Sequence, residues 1–202
     1  MAVIRLIAGL GNPGRKHERD RHNVGFWFVS RLAVQQRIEI RSLPKFHGLA
    51  GKAGAAGSEV WLVMPQTYMN ASGMAVGSLT RFYKIQPDEC LVVHDELDFP
   101  PGVAKLKLGG GIAGHNGLKD VAAQLGTQHY WRLRIGIGHP GDKNVVADYV
   151  LSSPPAPERE LIESALGRCL DHSPLLMAGD MRAAMLRIHT REKPEKDDLD
   201  GK

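Results

Sequence analysis

Short runs rich in β-branched and aliphatic residues alternate with longer stretches that place apolar residues at helical spacing, and this alternation restricts the chain to few folds. The runs at Val3–Ala8, Glu59–Met64, Cys90–Val93, Val103–Leu108 and Arg132–Ile137 predict strands. The stretch Ala50–Gly57 reads as one further edge strand. Helical spacing predicts helices over Asn23–Arg37, Ser72–Lys84, Asn116–Leu125, Glu158–Leu170 and Pro174–His189. Gly126 follows the third of these as a helix stop. Strands alternating with helices of this length imply an α/β domain with a largely parallel sheet.

A chain of 202 residues fits one domain. We find no internal repeat, and the SSPPAP run at 152–157 reads as a loop ahead of a helix rather than a linker. The domain is therefore expected to span residues 1–189. From Thr190 to Lys202 the chain carries four Lys/Arg and five Asp/Glu with almost no apolar residue, and is expected to be a disordered tail. That tail carries −1 of a net charge of +4, so the rest carries +5. No segment reaches the roughly 18 apolar residues that a membrane span needs. The apolar N-terminal stretch lacks a basic leader followed by a small-residue cleavage site. Cys90 and Cys169 fit no metal or disulfide framework. Together these features point to a soluble cytoplasmic protein.

Several strand ends carry residues with chemical potential. Gly9–Gly14 (GLGNPG) follows the first strand and reads either as a sharp turn or as a nucleotide-binding loop, although it lacks the Lys-Ser/Thr of a P-loop. His22 stands in Arg21-His22-Asn23 just before a strongly apolar helix. Asn70, in Pro65–Asn70, can cap the next helix or hold a carbonyl or a water. Asp95, Glu96 and Asp98 put three carboxylates within four residues, and a carboxylate orienting His22 is a more economical reading than a metal site. The glycine-rich run Gly109–Gly117 opens a helix whose N-terminal amides favour anions. In Val103–Leu108 and Arg132–Ile137, period-two alternation puts Lys105 and Lys107, and Arg132 and Arg134, on one face of each strand. If those strands flank the glycine loop, they form a basic strip suited to a phosphate backbone; otherwise they are ordinary solvated faces.

Six segments in register resemble the bacterial-type peptidyl-tRNA hydrolases: GLGNPG at 9–14, RHNVG at 21–25, PQTYMNASG at 65–73, HDELDFPPG at 94–102, KLKLGGGIAGHNGLKD at 105–120 and RLRIGIGHPG at 132–141. The resemblance implies a single α/β domain, with a mixed, mostly parallel twisted sheet flanked by helices on both faces. It implies an esterase that frees tRNA from peptidyl-tRNA released prematurely by ribosomes, with no metal, no organic cofactor and a monomeric state. Carried over residue by residue, His22 is the general base, Asp95 its carboxylate partner, and Asn12, Asn70 and Asn116 the polar residues of the cleft. Tyr68 and Met69 correspond to residues at the peptide end, and Lys105, Lys107 and Arg134 to positions linked to tRNA.

The chain departs from the family pattern in the loop before His22. His17 stands where tyrosine is usual and Asp20 where threonine is usual, while position 112, often histidine, is Ile112. His17 can take over substrate contact by stacking, or titrate. Two rival readings stay on the same scaffold: an idle RNA-binding protein, and an esterase for small N-acyl esters with no RNA partner. The complete set of polar site residues speaks against the first, and the basic strip against the second.

Overall fold

The computed structural model describes residues 3–54 and 59–189. Seven strands, β1 (Leu6–Gly9), β2 (Arg41–Leu43), β3 (Gly48–Ala53), β4 (Val60–Pro65), β5 (Cys90–Glu96), β6 (Ala104–Leu108) and β7 (Trp131–Gly136), form one sheet in the order β2-β3-β4-β1-β5-β7-β6. The inner strands β4, β1, β5 and β7 run parallel, while β2, β3 and β6 pair antiparallel at the two sides. Helices α1 (Val24–Gln35), α2 (Gly73–Tyr83), α3 (Asn116–Leu125), α4 (Val146–Val150), α5 (Ala156–Asp171), α6 (Ser173–Ala178) and α7 (Met181–His189) complete the fold. This is the single α/β domain with a mixed, mostly parallel sheet that the sequence implies. Among the described residues no helix is long and apolar enough to cross a membrane.

Both faces of the sheet are buried, which is why its inner strands are nearly all apolar rather than alternating. Ile7, Leu62, Leu91 and Val93 face the core shared with α1, α5 and α7, whereas Ala8, Trp61, Val63 and Val92 face the core shared with α2 and α3. Each such Leu, Ile or Val contributes about 1.5–3 kcal/mol of burial. The outer strand β6 is covered by α7, whose His189 Nε2 accepts a hydrogen bond from the Leu106 amide at 2.8 Å. This removes an exposed ladder donor from the sheet edge.

Three expectations need correction. The strand expected at Ala50–Gly57 is Gly48–Ala53, and it is not an edge, because β2 pairs on its outer side; residues 55–58 lie outside the described residues, as does the tail 190–202. Cys90–Val93 continues to Glu96, since His94, Asp95 and Glu96 are buried and stay on the ladder with β7. The helix expected over Pro174–His189 is two helices, broken where Gly179 takes φ 75°. The short helix α4 and the three-residue strand β2 have too little periodicity to be read in advance.

α1 reaches the sheet through a backbone contact at Gly25. A Cβ there would overlap the Leu10 amide and the Val93 carbonyl, and one on Gly9 would overlap the Gly25 carbonyl. By contrast, a Cβ on Gly167, in the middle of α5, meets nothing within 4 Å. Gly25→Ala is expected to lower unfolding free energy by about 1–3 kcal/mol through overpacking. Gly167→Ala is expected to raise it by roughly 0.5–1 kcal/mol. Urea unfolding of both variants checks the pair, and a harmless Gly25→Ala would contradict the close approach.

Candidate active site

The parallel strands β1, β4 and β5 end on one side of the sheet, where α/β folds place their ligand crevice. Here β5 delivers Asp95, which is 3% exposed. Its Oδ1 accepts two hydrogen bonds, from His22 Nδ1 at 2.8 Å and from His115 Nε2 at 3.0 Å. His22 sits in a 3-10 turn, Arg21–Asn23, that runs into α1. His115 is the N-cap of α3, and its Nδ1 accepts from the amides of Gly117 at 3.1 Å and Leu118 at 3.3 Å. Those amides fix His115 as the Nε2–H tautomer, so its proton points at Asp95. The carboxylate thus ties the start of α1 to the start of α3.

Burial tends to raise the Asp95 carboxyl, but the His22 and His115 rings around it hold it well below its usual 3.8. At His22, burial lowers the pKa, and the charge and hydrogen bond of Asp95, together with the charge of Asp20, outweigh it, so the net shift is above 6.5. His94 behaves differently. It donates from Nδ1 to the Asp95 backbone carbonyl at 2.6 Å, and burial, helped by His115, drives it down to about 3. It is a neutral structural ring at any physiological pH.

His22, Asp95 and His115 bring ligand-type atoms within 4.8 Å of one another. Their lone pairs and protons are committed in a way that suits hydrogen bonding rather than a cation: the His115 Nδ1 lone pair is taken by two amides and its Nε2–H by Asp95, and His22 turns its Nδ1–H toward the carboxylate. His22 Nε2 is left facing a cleft of about 500 Å³ lined by Asp95, Gly111–Asn116, His139, Lys143 and the apolar face of α4. Among the described residues no Ser, Thr or Cys lines this cleft. Burial pushes both thiols, Cys90 and Cys169, up to about 12. The arrangement therefore offers a base for water and no protein nucleophile.

The asparagines are placed differently. Asn116 lines the His22 cleft as the first residue of α3. Asn12 lines a neighbouring cavity of about 570 Å³ with Gly14 and Phe26. Its side-chain carbonyl accepts from the Met69 amide at 2.8 Å, which leaves Nδ2 as a donor, and its backbone exchanges two hydrogen bonds, each of 2.9 Å, with the Asn23 side chain. Asn70 is exposed in the 3-10 turn Met69–Ala71 and does not cap α2, whose N-cap is Ser72 with no side-chain bond. Tyr68 is 60% exposed, whereas Met69 is buried against Gly117. His17 meets Asp20, Nδ1 to Oδ2, at 2.7 Å.

The basic strip lies where the alternation suggested, on the sheet face that also carries the glycine loop, but with one member fewer. Lys105 pairs across from Arg134 and Lys107 from Arg132. Lys105 and Lys107 are exposed, and Arg134 is partly so, bonded to Glu96 at 2.8 Å. Lys105 and Arg134 both stack on the Phe99 ring, at 4.9 and 4.4 Å from its centroid. Arg132 is buried: its guanidinium donates to the carbonyls of Gly110 at 2.6 Å and Gly111 at 2.7 Å. Gly110 takes φ 102°, a conformation that favours glycine, and this turns its carbonyl onto Arg132. Period two gave the face of Arg132 correctly but not what covers it. His115 was the other residue missed, because its partner is 20 positions away and its cap role is local to the helix start.

A buried histidine–aspartate pair facing a cleft whose described lining holds no Ser, Thr or Cys suits an enzyme that activates water. The chain belongs to the peptidyl-tRNA hydrolase family: the profile of that family matches residues 6–196. A peptidyl-tRNA hydrolase of Nitrosospira multiformis is 56% identical over 190 residues, 94% of this chain and 100% of that one. A second, from Nitrosomonas europaea, is 53% identical over 94% of this chain and 97% of its own. The crystal structure of peptidyl-tRNA hydrolase from Acinetobacter baumannii superposes with a TM-score of 0.91 at 45% identity, covering 95% of this chain and 97% of that one.

Loss of the Arg132 anchor is expected to free the glycine loop. In Arg132→Lys, which cannot bridge both carbonyls, amide hydrogen exchange across residues 109–115 should accelerate while that of β5 stays unchanged. Unaltered exchange in the loop would contradict the anchor.

Proposed function

We propose that this chain hydrolyses the ester between a peptide, or an N-acyl-aminoacyl group, and the ribose hydroxyl of tRNA, acting as a cytoplasmic monomer that returns tRNA to use. The observation that carries the reading is the 2.8 Å bond from His22 to buried Asp95, which leaves Nε2 free toward the cleft. In the proposed step neutral His22 takes a proton from water through Nε2. The water oxygen bonds to the ester carbonyl carbon, and the bond from that carbon to the ribose oxygen then breaks. His22 returns its proton to the departing ribose oxygen. Asp95 fixes the tautomer and stabilises the imidazolium, while His115 braces the carboxylate.

The developing oxyanion needs a donor, and Asn12 Nδ2 or the exposed Asn70 can supply it, for about 3–4 kcal/mol if well placed. Asn116, which lines the cleft, is assigned to hold the water or a substrate amide. Tyr68, Met69 and His17 are assigned to the peptide end. Lys105, Lys107 and Arg134 are assigned to the tRNA backbone, where their contribution is independent of base sequence and falls with salt.

His22→Ala should lower kcat on N-acetyl-aminoacyl-tRNA by about 10²–10⁴-fold with tRNA affinity retained. For the wild type, kcat/KM should fall as pH drops through a midpoint above 6.5, because the net shift at His22 is upward. Asp95→Asn removes the main raising influence while burial remains, so its residual activity should show that midpoint at lower pH. Near-wild-type turnover in His22→Ala would remove the base assignment.

A further inference from the structure

His17 and Asp20, the two departures from the usual family pattern in the loop before His22, lie against each other. His17 Nδ1 is 2.7 Å from Asp20 Oδ2, with side-chain exposures of 14% and 7%. Backbone bonds fold the loop tightly, from His17 N to Gly14 O and Asp20 N to His17 O, each 3.0 Å, and from Asn23 N to Asp20 O at 2.9 Å. Asp20 is thereby the N-cap of the turn that carries His22, at φ −68° and ψ 145°. An aspartate at an N-cap ordinarily bonds a free amide of the first turn. Asp20 makes no side-chain cap bond; its carboxylate is turned onto His17 instead. Keeping a carboxylate buried is costly unless it is paired, and a neutral capping residue would avoid that cost. What the arrangement retains is a negative charge two residues from His22.

Other charged and titratable groups reach His22 from several elements. From β5 come Asp95, bonded to His22, and Glu96, paired with Arg134; the loop after β5 adds Asp98 to the same cleft, and the start of α3 adds His115. The segment before α4 adds His139 and Lys143 to the lining, and α4 itself adds only Val146, Ala147 and Val150. The adjacent Arg21 is turned away, bonded to Glu158 and Ser152 at 2.7 Å each and lying over the Tyr149 ring.

We propose that Asp20, held by His17, is a positioning residue for the reaction: its carboxylate is a second negative charge that stabilises the imidazolium formed when His22 accepts the proton of water. The proposal rests on the reading of His22 as the base. Asp95 orients the ring through a hydrogen bond, whereas Asp20 acts through its field. Asp20 also raises the His22 pKa, in the same direction as Asp95. Because Asp20 is 5% exposed, salt should screen its effect little.

The test follows the titration of His22 directly, by NMR of histidine-labelled full-length protein, alongside kcat/KM against pH with N-acetyl-aminoacyl-tRNA. In Asp20→Asn both midpoints should move together to lower pH, and the NMR shift should persist in about 0.5 M salt. Asp20→Glu, which keeps the charge, should restore the wild-type midpoints. Asp20→Thr, a good N-cap, provides a neutral variant whose folding is secure and should behave as Asp20→Asn does. An unmoved NMR midpoint in both neutral variants, or a uniform loss of rate with the midpoint in place, overturns the proposal and leaves the base reading standing. A wild-type kinetic midpoint that does not follow the His22 titration overturns the base reading itself, and this proposal with it.

Discussion

A single buried carboxylate organises this molecule. Asp95 cannot stay ionised in the interior without partners, and its two partners come from elements far apart in the chain, His22 by 73 positions and His115 by 20. To satisfy it, α1 must approach β1 and β5 closely enough for Gly25 to meet backbone, and α3 must begin where its N-cap can reach β5. The packing that closes the fold and the geometry that leaves His22 Nε2 free are therefore one arrangement.

The same economy governs the charges nearby. Arg132 spends its guanidinium on the carbonyls of Gly110 and Gly111, and so shapes the cleft rather than the outer surface. Lys105 and Lys107 stay exposed, while Arg134 is steadied by Glu96 and the Phe99 ring. Positive charge is thus fixed beside the loop that walls the cleft. Asp20 and His17 extend the pattern: a buried charge is kept two residues from His22, at a cap position that makes no side-chain cap bond.

Much of this was legible in the sequence, for identifiable reasons. The apolar runs of β1, β4 and β5 announce strands buried on both faces, and the stripe Leu118, Val121, Ala122, Leu125 announces α3. His22 and Asp95 stand in motifs whose order and spacing carry the family resemblance. Other features depend on long-range partners and were not readable. The β5 strand looks finished at Val93, because His94, Asp95 and Glu96 are polar; only their bonds to neighbouring elements keep them in the sheet. Arg132 alternates like a surface residue until the glycine loop covers it. His115 reads as a loop residue until its two nitrogens are seen to join a helix start to a strand end. The break between α6 and α7 hangs on one glycine in an otherwise helical stretch, and β2 is three mostly exposed residues with no pattern of their own.

The whole mechanism turns on Asp95 holding His22 with Nδ1 protonated and Nε2 free to accept a proton. Ring nitrogen NMR shifts of labelled histidine, recorded above the titration midpoint of His22, measure this directly. The expected result is the Nδ1–H tautomer for His22 and the Nε2–H tautomer for His115. A neutral His22 carrying its proton on Nε2 would contradict it, since the atom facing the cleft would then be a donor and not a base.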